Sequence, residues 1–284
     1  MIYLLSRSAV FSPNAVHRDE AIFRAIRRQF IKHGEEVACY SEDELTADPT
    51  LLLEADSYGS PIIVSMGRDV RTLRILERLE TMGFRVYNSP SSLLENSRLQ
   101  IDAVMDEVGL GMKTLSEAAD AETTAQEIGF PLWIKTARTS TQTPDDVQYI
   151  ASKESLERAI DTFLQRGCTE WMCCEHVEGD LIKFYGVEGT DFFYWAYPCT
   201  KNGYSKFGKE VHNGKPQGYA FNAEELKESM DEAAAELGMF IYGGDAVVRA
   251  DGTIVVVDFN DFPSFSPCLE AAAEAIVARV MSEL

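Results

Sequence analysis

Residues 243–265, G-G-D-A-V-V-R-A-D-G-T-I-V-V-V-D-F-N-D-F-P-S-F, constrain the chain more than any other stretch. Two apolar runs flank Asp251-Gly252, a dipeptide suited to a two-residue hairpin because both turn positions tolerate positive φ. With that turn, Ala250 faces Thr253, Arg249 faces Ile254, and the register continues outward to set Asp245 opposite Asp258. Opposed residues share a sheet face with Cβ atoms roughly 5 Å apart. Asn260, two residues beyond Asp258, projects from that same face. Like charges opposed across two strands are destabilising unless something compensates. Two carboxylates and a carboxamide are the hard oxygen donors that Mg²⁺ takes, with phosphate and water completing its shell. The hairpin therefore predicts either a metal site at Asp245, Asp258 and Asn260 or two aspartates that end strands and face water.

The bulk properties narrow the ligand. Forty-six acidic against 26 basic residues give a net charge of −20, which argues against nucleic-acid and anionic-membrane partners, both of which need basic surface. It leaves room for a phosphorylated small molecule held by a few local lysines. No apolar run approaches the roughly 20 residues that cross a bilayer. The start, M-I-Y-L-L-S-R-S, reads as a first strand rather than a signal peptide, so a cytoplasmic location is the expectation. The six cysteines form no C-x-x-C pair and no zinc spacing, and free, mostly buried thiols are expected.

Along the chain, residues 1–90 alternate strand and helix: strands at 2–5, 37–40, 61–66 and 84–87, with helices over 16–33 and 73–83. That rhythm predicts a small parallel sheet covered by helices. Neither G-x-G-x-x-G nor G-x-x-x-x-G-K-[ST] occurs. Asn88-Ser89-Pro90-Ser91-Ser92 is a turn cluster and the best domain boundary. A helix to about Val108 follows, then a helix over 117–128. The strand F-P-L-W-I-K ends on Lys135, a return strand covers 147–151, and Ser152 caps a helix over 152–166. Strands over 170–177, 181–187 and 192–197 precede a polar loop, 201–217, with four lysines. A helix over 223–237 leads into the hairpin. The closing helix is expected to start at Pro267 with Ser266 as its N-cap.

In order and spacing, the motifs E-N-S-R-L, F-P-L-W-I-K, C-C-E-H-V-E-G-D, L-I-K-F-Y-G-V and the hairpin sequence itself resemble the ATP-grasp superfamily from about Ser89 onward. The resemblance implies an α/β and α+β chain: an N-terminal parallel α/β pre-domain (1–90), an N-terminal subdomain (91–176), and a C-terminal subdomain carrying the Mg site (177–284). It also implies ATP between the two subdomains, with Mg²⁺ or Mn²⁺. Matched position by position, Lys135 contacts the ATP phosphates and Arg98 stands where a lysine is usual. Glu175, Val177 and Glu178 read the adenine, and Asp180 meets the ribose. Lys183 points at the γ-phosphate or substrate, and Asp245, Asp258 and Asn260 form the metal triad that the hairpin arithmetic had reached independently.

Two departures stand out. The loop after Lys135 has no glycine, so Thr139, Ser140, Thr141 and Arg138 are the groups available to the phosphates. The arginine that some ligases carry just before the first metal aspartate is absent, since Tyr242-Gly243-Gly244 stands there; Lys206 and Lys209 are the candidates to replace its charge. Ser264 and Ser266, leading into the last helix, are candidates for binding a substrate anion at its N-terminus. The resemblance implies a carboxylate–amine ligase that activates its acid as an acyl phosphate, with small-molecule acid and amine as substrates and a homodimer as a compatible assembly. A small-molecule kinase and a non-catalytic ATP-binding protein are the alternatives.

Overall fold

The computed structural model describes residues 1–12, 15–53, 61–116, 118–137, 143–198 and 208–283. They build three four-stranded sheets. The first is parallel, in the order β2-β1-β3-β4, from β1 (Ile2–Ser6), β2 (Val37–Ser41), β3 (Ile62–Ser65) and β4 (Arg85–Tyr87). β1 and β3 are apolar up to their closing serines because both faces are covered, the pattern of a parallel sheet. The helices α1 (Val16–Lys32), α2 (Glu42–Ala47) and α3 (Val70–Thr81) connect its strands. α2 starts on a capping box: the Ser41 hydroxyl accepts from Glu44 N–H at 3.2 Å, and the Glu44 carboxylate accepts from Ser41 N–H at 2.8 Å.

The expected long helix after the boundary is two: α4 (Pro90–Glu95) and α5 (Arg98–Glu107). Ser97 interrupts it as a fresh N-cap, accepting from Gln100 N–H at 3.2 Å. The second sheet is antiparallel, in the order β5-β8-β6-β7, from β5 (Thr114–Leu115), β6 (Leu132–Thr136), β7 (Val147–Ile150) and β8 (Trp171–Glu175). Two helices, α6 (Ala121–Glu127) and α7 (Lys153–Gln165), pack on one face. α6 begins four residues later than expected because Asp120 caps it, accepting from Thr123 N–H at 2.8 Å. Ser152 caps α7 as its sequence predicts. Of the thiols, Cys173 and Cys174 are buried in different cores on the two sheet faces, whereas Cys39 is exposed.

The third sheet, also antiparallel, runs β10-β9-β11-β12 from β9 (Asp180–Val187), β10 (Phe193–Ala196), β11 (Ile241–Val248) and β12 (Ile254–Asp261). α8 (Ala223–Glu236) covers it through Leu226, Met230, Ala233 and Ala234. The last helix, α9 (Leu269–Met281), starts two residues beyond Pro267, and Cys268 occupies the N-cap position. Ser266 does not cap it; its hydroxyl pairs with that of Ser264 at 3.0 Å. The reason is tertiary. Phe262 and Phe265 are both fully buried, and holding both rings in one core takes the backbone through positive φ at each (31° and 50°), so helical geometry cannot begin before 268.

That core is shared. α1 and α9 bury Ile22, Ile26, Phe30, Ala272, Ile276 and Val280 in one cluster with β1 and β3, so the chain's last helix completes the first unit. The boundary is pinned as well. Asn88, 1% exposed, donates its amide to Ile241 O at 2.8 Å and accepts from Ile241 N–H at 2.7 Å. Removing that side chain strands the Ile241 N–H, while the Ile241 carbonyl keeps a second donor, Phe262 N–H at 2.8 Å. Asn88→Ala is therefore expected to cost about 1–3 kcal/mol in a denaturant-unfolding measurement.

A second expectation concerns pH. Asp102 on α5 accepts from the Thr114 hydroxyl at 3.1 Å, and burial pushes its carboxyl up to about 6. The folded state thus holds this proton where the unfolded chain has released it, so the contribution is present at low pH and lost as pH rises through about 6. Asp102→Asn should be more stable than the parent at pH 7.5, with the gap closing by pH 4, as read from Tm against pH.

Candidate active site

The metal-type hairpin forms, by a route different from the expected one. Arg249 N–H bonds Thr253 O at 2.8 Å and Gly252 N–H bonds Arg249 O at 2.9 Å, with Gly252 at φ +86°. The turn is a three-residue loop ending in a left-handed glycine, so near the turn Val248 faces Ile254, one place off the two-residue register. A bulge between Ala246/Val256 and Asp245/Asp258 then inserts Val257. The two departures cancel, and Asp245 faces Asp258 while Asn260 faces Gly243.

Lys183, beside Asp245 on β9, compensates the opposed carboxylates: its Nζ lies 2.8 Å from Asp245 Oδ1 and 3.5 Å from Glu210 Oε1. Burial works against the Lys183 ammonium, but Asp245 and Glu210 more than offset it and hold it protonated. Burial, aided by Asp258, pushes Asp245 up, and Lys183 opposes that rise. Asn260 donates its amide to Asp258 Oδ2 at 2.8 Å, leaving its amide oxygen for a ligand. The bulge has a second consequence, since the carbonyl of Val257 accepts from Lys135 Nζ at 2.7 Å. Arg98 bonds the Thr136 hydroxyl at 2.8 Å; burial works against its charge and Asp258 supports it. Among the described residues no cluster of three His, Cys, Asp or Glu side chains could hold a metal. Two carboxylates and an amide oxygen fit Mg²⁺ as a part-shell that phosphate and water would complete, rather than as a closed protein cage.

The glycines before Asp245 have a steric cause. A Cβ on Gly244 would sit 2.2 Å from Asp258 O and 2.5 Å from the Phe184 ring; one on Gly243 would sit 2.8 Å from Pro263 Cγ and 2.9 Å from Phe184 O. No arginine can stand there.

At the hinge, Val177 is buried and its carbonyl accepts from Asn213 Nδ2 at 2.9 Å. The Glu175 carboxylate accepts from Lys113 N–H at 3.0 Å and lies 3.5 Å from Arg249 Nη2. Glu178 is exposed and lies outside the cleft lining. Asp180 also lies outside it: buried, it accepts from the N–H groups of Gln217, Gly218 and Tyr219 at 2.7–2.9 Å. Burial alone would raise its carboxyl, but those three bonds hold it below the ordinary range. Lys209 lines the cleft but bonds Pro144 O at 2.5 Å. Beside it, the His212 ring stacks on Tyr149 at 3.9 Å, and Trp133 donates to His176 Nδ1 at 3.2 Å. Lys206 and the 138–141 loop lie outside the described residues.

These groups line one cleft of about 570 Å³ running from Val177 past Lys135, Lys183 and Asp245 to Asp258 and Asn260. It continues to the first sheet, where it is lined by Arg7, Ser12, Asp19, Arg68, Asp261 and Ser264; Ser266 is not in the lining. Of this end, sequence reasoning named only Ser264 and missed Arg7, Ser12, Asp19, Arg68 and Asp261. The available signal was positional: Arg7 directly follows β1 and Arg68 stands three residues beyond the end of β3, and ligands of open α/β sheets sit at the carboxyl ends of the strands.

No family profile matches the chain, and no curated protein matches it by sequence. Solved structures do match over its whole length. A RimK-domain ATP-grasp protein from Sphaerobacter thermophilus is similar at TM-score 0.63 and 17% identity, with 98% of each chain covered. The ATP-grasp ligase PsnB, solved with a minimal precursor, is similar at 0.62 and 15%, with 99% of each covered. D-alanine–D-alanine ligase from Bacillus anthracis, solved with ATP, is similar at 0.64 and 13%, covering 100% of this chain and 98% of that one. The parallel first sheet, the two antiparallel sheets facing one cleft and this full-length likeness agree: the chain has the ATP-grasp fold.

Proposed function

We propose that the protein is an ATP- and Mg²⁺-dependent carboxylate–amine ligase. The observation that carries this reading is the set Lys135, Lys183 and Arg98 arranged around the Asp245–Asp258–Asn260 face, at the far end of a cleft that begins at the Val177 hinge. On this reading the substrate carboxylate takes the γ-phosphoryl group and releases ADP; an amine then attacks the acyl phosphate and expels phosphate, leaving an amide. Asp245, Asp258 and Asn260 would hold the magnesium, which would neutralise charge that spreads during transfer.

The chain's own residues do the rest. Asp245 and Asp258 anchor the cation, with the Asn260 amide oxygen as the neutral third donor. Lys135 and Lys183 stand on strands, and each now rests on a protein oxygen (Val257 O and Asp245 Oδ1) that it exchanges for a phosphate oxygen. Positioned cations in a water-poor cleft do most of the catalysis in phosphoryl transfer. The Val177 backbone supports the base, and the Glu175 carboxylate holds β5 to β8 beside it.

The test is a screen of acid and amine pairs that reads ADP and free phosphate together. A ligase releases both only when acid and amine are both present. Phosphate retained on the product would identify a kinase, and ATP binding without turnover a non-catalytic protein; either would replace this reading. Asp258→Asn should lower turnover by roughly 100-fold or more with an unchanged far-UV circular dichroism spectrum, and unaltered turnover would remove the metal assignment. Lys135→Ala should weaken ATP binding about tenfold in a calorimetric titration, equivalent to about 1.4 kcal/mol; equal affinity would count against its phosphate contact.

A further inference from the structure

The end of the cleft at the first sheet carries two guanidiniums whose donors the protein does not fully use. Arg7 and Arg68 leave the carboxyl ends of the adjacent parallel strands β1 and β3, and both side chains are largely buried, 8% and 16% exposed. Each holds the exit of β12: Arg7 Nη2 donates to Phe262 O at 2.6 Å and Arg68 Nη2 to Asp261 O at 3.0 Å. Each also meets one carboxylate, Arg7 with Asp19 and Arg68 with Asp261.

Neither pair is a two-bond fork. Arg7 Nε lies 3.0 Å from Asp19 Oδ2 but is not aligned as a hydrogen bond, and Nε of both arginines is buried without one. Nη1 of each makes no hydrogen bond among the described residues, and both residues line the cleft. Against these donors stands one unpaired buried acceptor, Asp261 Oδ2. Unsatisfied donors outnumber acceptors, so the complementary ligand is an acceptor. Burial works against the Arg7 charge and the neighbouring Arg68 adds to it, while Asp19, Asp261 and Glu42 oppose them.

The two arginines are also fixed in place. Glu42, 1% exposed, accepts the backbone N–H of Arg68 and of Asp69, both at 3.0 Å, and that of Ser8. One buried carboxylate therefore cross-links the two loops that present the arginines. Desolvating a carboxylate is costly, and what this one secures is the spacing of two cations at a cleft.

We infer that Arg7 and Arg68, positioned by Glu42, form a second anion subsite, and that the acid substrate is a dicarboxylate. One carboxylate reacts near Asp245 and Asp258, and the other is held by the arginine pair. The inference rests on the ligase reading for which carboxylate reacts. Asp261 lies three residues beyond Asp258 on β12, about 10 Å along the strand, which sets the scale of the chain between the two groups. A single carboxylate suits the subsite better than a phosphate dianion because Asp19 and Asp261 already balance the two guanidiniums.

The experiment is calorimetric titration of the full chain, with Mg²⁺ and a non-hydrolysable ATP analogue bound, with linear C4 to C8 dicarboxylates and with monocarboxylates of the same lengths. The best dicarboxylate is expected to bind at least tenfold more tightly than its monocarboxylate. Arg7→Lys and Arg68→Lys, which keep the charge but lose the fork, should each weaken it about fivefold. Asp19→Asn, which removes a competing anion, should tighten it. Glu42→Gln should loosen the dicarboxylate while leaving ATP affinity unchanged. Equal binding of mono- and dicarboxylates by the parent chain would overturn the inference whatever the variants do. Dicarboxylate binding without amide formation would leave the subsite standing and remove the ligase reading; turnover indifferent to the second carboxylate would do the reverse.

Discussion

Two carboxylates facing each other across adjacent strands are the constraint to which the rest of the site answers. Asp245 and Asp258 repel, and the chain meets that cost from three directions: Lys183 from β9, the Asn260 amide from β12, and Arg98 from α5. The bulge at Val257 belongs to the same solution. It restores the face on which Asp258 points and releases a carbonyl that Lys135 takes up. Both lysines are thus seated on protein oxygens, and on the proposed reading a divalent cation would relieve the repulsion between the two aspartates.

On the proposed reading the metal face and the substrate pocket lie on separate units, which would have to hold a fixed distance. Here β12 runs straight from one into the other, and its exit is gripped by Arg7 and Arg68. Phe262 and Phe265 are sunk in the core that α9 shares with α1. Asn88 adds a bond pair between the linker and β11. The charged groups at the two ends of the cleft are mounted on one continuous strand and one continuous core.

Much of this was legible in the sequence, for local reasons. Period and punctuation locate most strands of all three sheets, Ser152 announces its helix, and the apolar runs around Asp251-Gly252 announce the hairpin. The opposition of Asp245 and Asp258 was reached through a turn one residue too short, rescued by a bulge with no sequence mark among consecutive valines. Where reading failed, tertiary packing decided. Ser266-Pro267 has the right chemistry for a helix start, yet two buried phenylalanines delay the helix to Leu269. Arg7, Arg68 and Glu42 carry no motif, because what unites them is the adjacency of two strands more than 50 residues apart in the chain. The Asp180 carboxylate, matched to a ribose by position, accepts three backbone N–H groups of 217–219, contacts that no local pattern announces.

On the proposed reading, a nucleotide base would meet the Val177 carbonyl with Asn213 already bonded to it. A carbonyl oxygen has two lone pairs, so the base would share the acceptor rather than displace the amide. Asn213 would then fix the direction of that carbonyl before the base arrives, leaving less ordering to be done on binding.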